Sequence, residues 1–258
     1  MIHDEQWSSR CYSLSDSGEY ISLKEFDGGV AWAAHVHADG LRFLKIFERI
    51  SSGKIGEVAQ SMGGQVLNRK FYDSVAWTVE VRPLPYLEVL MVLTLDPEFG
   101  NDFLTYYSKS ALGQVPTEDI IAYSWVYTAL LAWHGNKVLG GQEPKLAKEE
   151  MAQALLDERL KVFKYVDPET ASRVAVKIGG RKSEVGGATW AVEKEPVPGF
   201  KITYALRGEK GEILYDEQVL EKFGYFHDFL WLYCNAIIRE SRKILGEKLP
   251  KLSDSGIL

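Results

Sequence analysis

Apolar and polar residues alternate from Glu19 to Phe26, which predicts a strand, and Asp27-Gly28-Gly29 then reads as a turn. The stretch from Val30 to His37 is expected to return as its partner in a hairpin. At Phe43, Ile46, Phe47 and Ile50 the spacing becomes i, i+3, i+4, i+7, which predicts a helix ended by Ser51-Ser52-Gly53. A short helix around Gly56 to Met62 follows, closed by Gly63-Gly64 as a C-cap. Two strands are expected next, Ala76 to Val81 and Leu87 to Leu95. Pro83 and Pro85 between them lock φ and remove ladder donors, so the Pro-x-Pro link should lie outside the paired region. Beyond Asp96-Pro97 the pattern predicts an amphipathic helix from Asn101 to about Leu112. Thr117 reads as an N-cap, with Glu118 and Asp119 in a first turn where the helix dipole favours carboxylates, and this helix should end at Gly135.

The second half repeats the first. Met62-Gly63-Gly64 is answered by Ile178-Gly179-Gly180, and Trp77-Thr-Val-Glu80-Val-Arg-Pro83-Leu-Pro85 by Trp190-Ala-Val-Glu193-Lys-Glu-Pro196-Val-Pro198. Further on, Ala129-Leu-Leu is answered by Ala236-Ile-Ile at a smaller offset, so the second copy is shorter. Each copy reads helix, Gly-Gly, strand, Pro-x-Pro, strand, a variable connection and a long apolar helix. One hairpin with one helix leaves an apolar face in water, and pairing two such units removes it. The expected architecture is therefore α+β: internally duplicated helix–hairpin–helix units around antiparallel strands, related by a pseudo-twofold, with the two apolar helices central. Residues 1–134 form the first repeat with its extra N-terminal hairpin. The polar stretch 135–148, with Gly140-Gly141 and Pro144, is the linker, and residues 149–258 form the second repeat, all within one fused domain.

The order and spacing of Gly18-Glu-Tyr-Ile-Ser-Leu-Lys-Glu25, Gly28-Gly29, Gly63-Gly64, Leu84-Pro85, Pro97-Glu98-Phe99 and Pro116-Thr117-Glu118-Asp119 carry a resemblance. Over Gly18 to Ala132 the chain resembles an uncharacterised prokaryotic family, the domain of unknown function 3786, common in anaerobes. The resemblance implies an anaerobe-like context and no activity. Some members of that family carry a four-cysteine iron–sulfur module, which this chain, with only Cys11 and Cys234, cannot supply.

The 258 residues are 46% hydrophobic and 26% charged, which describes a folded globular chain and not a disordered one. The formal charge of −6, without a Lys/Arg stripe, argues against a nucleic-acid partner. Two cysteines give no disulfide framework, and the polar first ten residues lack the apolar run of a secretory leader, so a cytoplasmic location is expected. The longest uncharged apolar stretch, Ile120 to Trp133, is shorter than the ~18–20 residues of a membrane span, and no membrane association is expected.

Two groups of residues could carry chemistry. On a strand, His35 and His37 would project from one face about 7 Å apart, a spacing compatible with two metal ligands, with Asp39 close enough to join. His134 and His227 would have to be brought near by folding. A polar strand face explains the same two histidines without a metal. The second group is an acidic loop region of Asp96, Glu98, Glu118 and Asp119, suited to acid–base work or a hard cation, although helix-dipole preference accounts for Glu118 and Asp119 by itself. No dinucleotide fingerprint, phosphate loop or Gly-x-Ser-x-Gly elbow occurs, so no nucleotide-binding loop or nucleophile is indicated and the cofactor is left open, and Cys234 lies in an apolar run where a thiol is inert. Tyr123, Trp125, Tyr127 and Trp133, and their counterparts Phe226, Phe229, Trp231 and Tyr233, are expected to fill a core, an aromatic pocket or an oligomer interface. These features point to a non-enzymatic accessory or binding protein that holds a partner protein or an apolar cofactor, with a homo-oligomer as one form of partnering. The alternative is a metal- or cofactor-dependent enzyme using His35, His37 and the acidic loop near Glu118.

Overall fold

The computed structural model describes residues 19–68, 73–141, 153–216 and 226–250; Cys11 lies outside them. Among the described residues the chain is α+β, with seven α-helices and two antiparallel sheets. It divides into two compact units, Met1–Pro144 and Lys145–Leu258, and each is described by itself.

The first unit runs β1 (Tyr20–Ile21), a 3-10 turn at Leu23–Glu25, α1 (Gly29–Arg42), α2 (Leu44–Phe47), α3 (Ile55–Ser61), β2 (Gln65–Val66), β3 (Val75–Leu84), β4 (Leu87–Thr94), β5 (Asp102–Ser108) and α4 (Thr117–Val138). Its sheet has the order β1-β5-β4-β3-β2, every pair antiparallel. Phe47, Trp77 and Phe103 interlock on one face with ring centroids 4.5, 6.1 and 6.4 Å apart. By the two-residue period of strands, Leu90, Val92, Leu104 and Tyr106 point to the other face, where they form a second buried cluster with Tyr20 and Val75. Helix α4 is buried on almost every side, including Ile120, Tyr123, Tyr127 and Leu130. Gly135 lets it approach the α2 region, because a Cβ there would stand 2.5 Å from Ile50 Cδ1.

Four local expectations are corrected. Val30 to His37 is not a return strand but most of α1. The stretch holds three alanines, the best helix formers, and Gly28 turns the chain at φ 71° so that Gly29 packs against the backbone of Leu23. Asn101 to Leu112 is not a helix: Asp102–Ser108 is β5, aromatic-rich and buried on both faces, and Lys109–Ala111 is a 3-10 turn. The Pro-x-Pro link does not stop the ladder, since Leu84 still pairs with Leu87 and Pro83 falls inside the register break between Val81 and Leu84. The last helix continues past Gly135 to Val138; Pro116 occupies the N-cap, and Thr117 Oγ1 donates instead to the carbonyl of Asp27 at 2.6 Å.

The second unit runs α5 (Gln153–Leu160), a 3-10 turn at Lys161–Tyr165, α6 (Pro168–Lys177), β6 (Arg181–Ser183), β7 (Trp190–Val197), β8 (Phe200–Arg207), β9 (Lys210–Tyr215) and α7 (Phe226–Leu245), with sheet order β6-β7-β8-β9. Asp167 caps α6 by accepting from the Thr170 amide and hydroxyl, both at 2.8 Å, and these bonds hold its carboxyl below the usual range. Phe163 stacks on Trp190, whose Nε1 donates to the Val166 carbonyl at 2.7 Å; Trp77 Nε1 in the first unit is buried with no such partner.

Gly63-Gly64 and Gly179-Gly180 end their helices in the same way. Gly63 (φ 74°) and Gly179 (φ 69°) take the left-handed conformation. The amides of Gly64 and Gly180 then reach back to Ala59 and Ala175, each at 2.8 Å. A Cβ on Gly64 would sit 2.6 Å from the Glu80 carbonyl oxygen, and one on Gly180 2.5 Å from that of Glu193, so only glycine lets the chain pass this close to the next strand.

Candidate functional site

The histidine pair is separated by its own helix. At 3.6 residues per turn, positions two apart point about 200° from each other, so the common face expected for His35 and His37 does not exist. His35 is exposed and packs against Trp32, with ring centroids 5.7 Å apart. His37 is half-buried, and its Nε2 donates to Asp102 Oδ1 at 2.6 Å, an oxygen that also accepts from the Phe103 amide at 2.8 Å. Asp39 pairs with Arg42 at 2.8 Å. Three candidate ligands thus take three different partners, and among the described residues no three His, Cys, Asp or Glu side chains come together as a set that could hold a metal ion. His134 packs against Trp133, and burial, with Lys137 nearby, pushes its pKa down to about 4, which keeps the ring neutral at physiological pH.

The acidic residues divide between two elements. Asp96 closes the β4–β5 loop on itself, its Oδ1 accepting from the amides of Glu98 and Phe99, both at 2.9 Å. Glu98 and Glu118 are exposed, whereas Asp119 is buried in the first turn of α4. The aromatic helices also divide. Tyr123, Tyr127, Phe229 and Tyr233 are fully buried, but Trp125 and Trp231 are only half-buried, Trp231 lying under the Arg159 guanidinium at 5.4 Å. The Phe226 side chain lies outside the described residues. Cys234 is fully buried, which drives its pKa up to about 12 and leaves an inert thiol.

Two buried polar groups escaped the sequence pattern. The first centres on Tyr20, whose hydroxyl donates to Glu80 Oε2 at 2.7 Å and lies 3.2 Å from Glu88 Oε2. Gln65 Nε2 donates to the other oxygen of Glu80 at 2.9 Å, and Arg82 pairs with Glu88. Burial first, then the bond to Glu80 and the two negative charges, raise the phenol's pKa far above its ordinary value, so it stays protonated and serves as a hydrogen-bond donor. The arrangement fastens the edge strand β1 to β3 and β4. A carboxylate among the apolar residues of β3 was the one available signal.

The second group is Lys194, 7% exposed on β7, four residues after Trp190 where Val81 stands four after Trp77. Its Nζ donates to the Gly179 carbonyl at 3.2 Å and sits 5.1 Å from the centre of the Tyr233 ring, and burial brings its pKa down to about 8.

A third feature lies at the surface. On α1, Val30 is 69%, Trp32 40% and Leu41 38% exposed, and Ala31, Ala34 and Ala38 are exposed between them. No charged residue occurs from Gly29 to Ala38. The inward positions Gly29, Val36 and Gly40 are buried, and a Cβ on Gly40 would meet the Phe103 ring, so the helix is anchored on one side and, His35 apart, apolar from Val30 to Ala38 on the other. No protein-family model, no curated protein and no solved structure matches the chain. Among the described residues no helix is long and apolar enough to cross a membrane.

Proposed function

We propose that this chain is a binding protein without chemistry of its own, and that it holds a protein partner through the exposed face of α1. The carrying observation is that face: Val30, Trp32 and Leu41 stand in solvent on a helix whose other side is already packed. A surface helix of this kind ordinarily presents charge outward. A convex helix face suits a protein partner better than a small apolar cofactor, which binds in concave sites. His37 and Asp102 support the same role by tying the middle of α1 to the start of β5, which makes the face rigid.

The scaffold behind it is read as a duplicated unit with pseudo-twofold character. Support comes from the common strand order of β2-β3-β4-β5 and β6-β7-β8-β9 and from the matched glycine caps. The cross-strand pairs Gln65–Glu80 and Arg181–Glu193 occupy corresponding places as well. In this reading β1 and α1 belong to the first copy alone, which frees them for binding.

The test is a hydrophobic dye titration at low micromolar protein. Wild-type chain should bind the dye, and Val30→Glu/Leu41→Lys should lose most of that signal while keeping its helical circular dichroism. Equal dye binding by both proteins would refute α1 as the binding face.

A further inference from the structure

We propose that the partner of α1 is a second copy of this chain, the two α1 helices packing antiparallel about a twofold axis. The proposal rests on α1 being the binding face and adds the identity of its occupant.

The helical period places Ala31, Ala34 and Ala38 along the centre of the exposed face. Methyl side chains there let two helix axes approach to the short end of the usual ~8–10 Å. Val30 and Leu41 lie on one flank of this line, near opposite ends of the helix. A twofold at His35 leaves Val30 one residue, about 1.5 Å, from direct opposition to Leu41 of the partner subunit, and the converse, so the large apolar groups flank the alanine contact at both ends. An isologous interface has this requirement: each residue must be suited to whatever the same surface presents in reverse.

The charges select the direction. Asp27 is exposed just before the helix begins, and Arg42, the last helical residue, pairs with Asp39 on its own helix at 2.8 Å while its side chain stays 76% exposed. The same twofold brings Asp27 within one residue of Arg42 of the partner subunit at both ends, whereas parallel pairing would set the two arginines against each other. Opposed helix dipoles favour the same direction. With a net charge of −6 per chain, contact through a face without charges from Gly29 to Ala38 also avoids the general repulsion between copies. One helix face is smaller than the ~800 Å² per partner of a standard interface, so a weak, concentration-dependent dimer is expected.

Sedimentation velocity from about 1 to 200 µM tests this. The wild type should shift from monomer to dimer; Arg42→Glu and Asp27→Lys should each weaken association at least tenfold. The double variant Asp27→Lys/Arg42→Glu should recover it, and Ala34→Arg should abolish it with unchanged melting. Failure of the double variant to recover, or single variants that dimerise like wild type, overturns the antiparallel pairing. A wild type that remains monomeric at 200 µM also overturns it. If that monomer still binds the dye through Val30 and Leu41, the binding face stands and only the self-pairing falls; without dye binding both fall.

Discussion

Replacing Lys194 by Met should stabilise the protein, and by an amount that depends on pH in a defined direction. Lys194 is 7% exposed, and its pKa falls from 10.5 to about 8 because burial penalises the charged ammonium. At roughly 1.4 kcal/mol per pH unit, the charge costs the folded state about 3 kcal/mol. Its charge-assisted bond to the Gly179 carbonyl, long at 3.2 Å and worth about 1.5 kcal/mol, offsets part of that and is lost in the variant. Met keeps the length and bulk of the side chain beside Tyr233, so the net gain at pH 7 is about 1–2 kcal/mol. Below pH 8 the lysine is protonated in both folded and unfolded chains and the full penalty stands. Between pH 8 and 10.5 the folded chain releases the proton first while the unfolded chain retains it, so wild-type stability rises with pH relative to the variant. The advantage of Lys194→Met should therefore be largest at pH 6–7.5 and shrink steadily toward pH 10.5. Urea unfolding of both proteins across that range, followed by circular dichroism, measures the gap; other titrating groups are common to both and cancel. A variant no more stable than wild type at pH 7, or a gap that does not change with pH, would refute the reasoning.

Tyr20→Phe removes the donor shared by Glu80 and Glu88 and should cost about 1.5–3 kcal/mol in the same assay, with hydrogen exchange at β1 rising before that of β3 and β4. Wild-type cost for this substitution near zero would mean that the network does not hold the strand. Gly64→Ala and Gly180→Ala each place a methyl within about 2.6 Å of a strand carbonyl oxygen, and each should destabilise by at least about 1–3 kcal/mol. Gly56→Ala, where a Cβ meets nothing, should leave the melting temperature unchanged or raised and serves as the control.

Features coded by neighbouring residues were legible in the sequence. The glycine caps after α3 and α6, the β3–β4 hairpin and the apolar helix α4 depend on steric freedom, turn chemistry and a long run of apolar side chains, all local properties. Two elements with the opposite outcome show where local coding ends. Val30 to His37 consists almost entirely of small and apolar residues, so its weak alternation could not separate strand from helix; packing of Gly40 against Phe103 and the turn at Gly28 settle it. Asp102–Ser108 is buried on both faces, so no polar side marks its period, and pairing with β4 settles that strand.

The candidate site inherits these outcomes. A change from strand to helix under His35 and His37 rotates one away from the other and dissolves the expected ligand pair, leaving His35 on the exposed face of α1 and turning His37 inward to Asp102. The meeting of Tyr20 with Glu80 and Glu88, 60 and 68 residues away along the chain, has no local signature, because strand order and register alone bring those oxygens together. By itself, the amino-acid sequence determined the hydrophobic segments, their terminators and the recurrence of one motif, since these rest on interactions within a turn or two. Only the tertiary structure decided which side chains face one another and which apolar face stays in water, since both depend on contacts between segments that are distant in the chain.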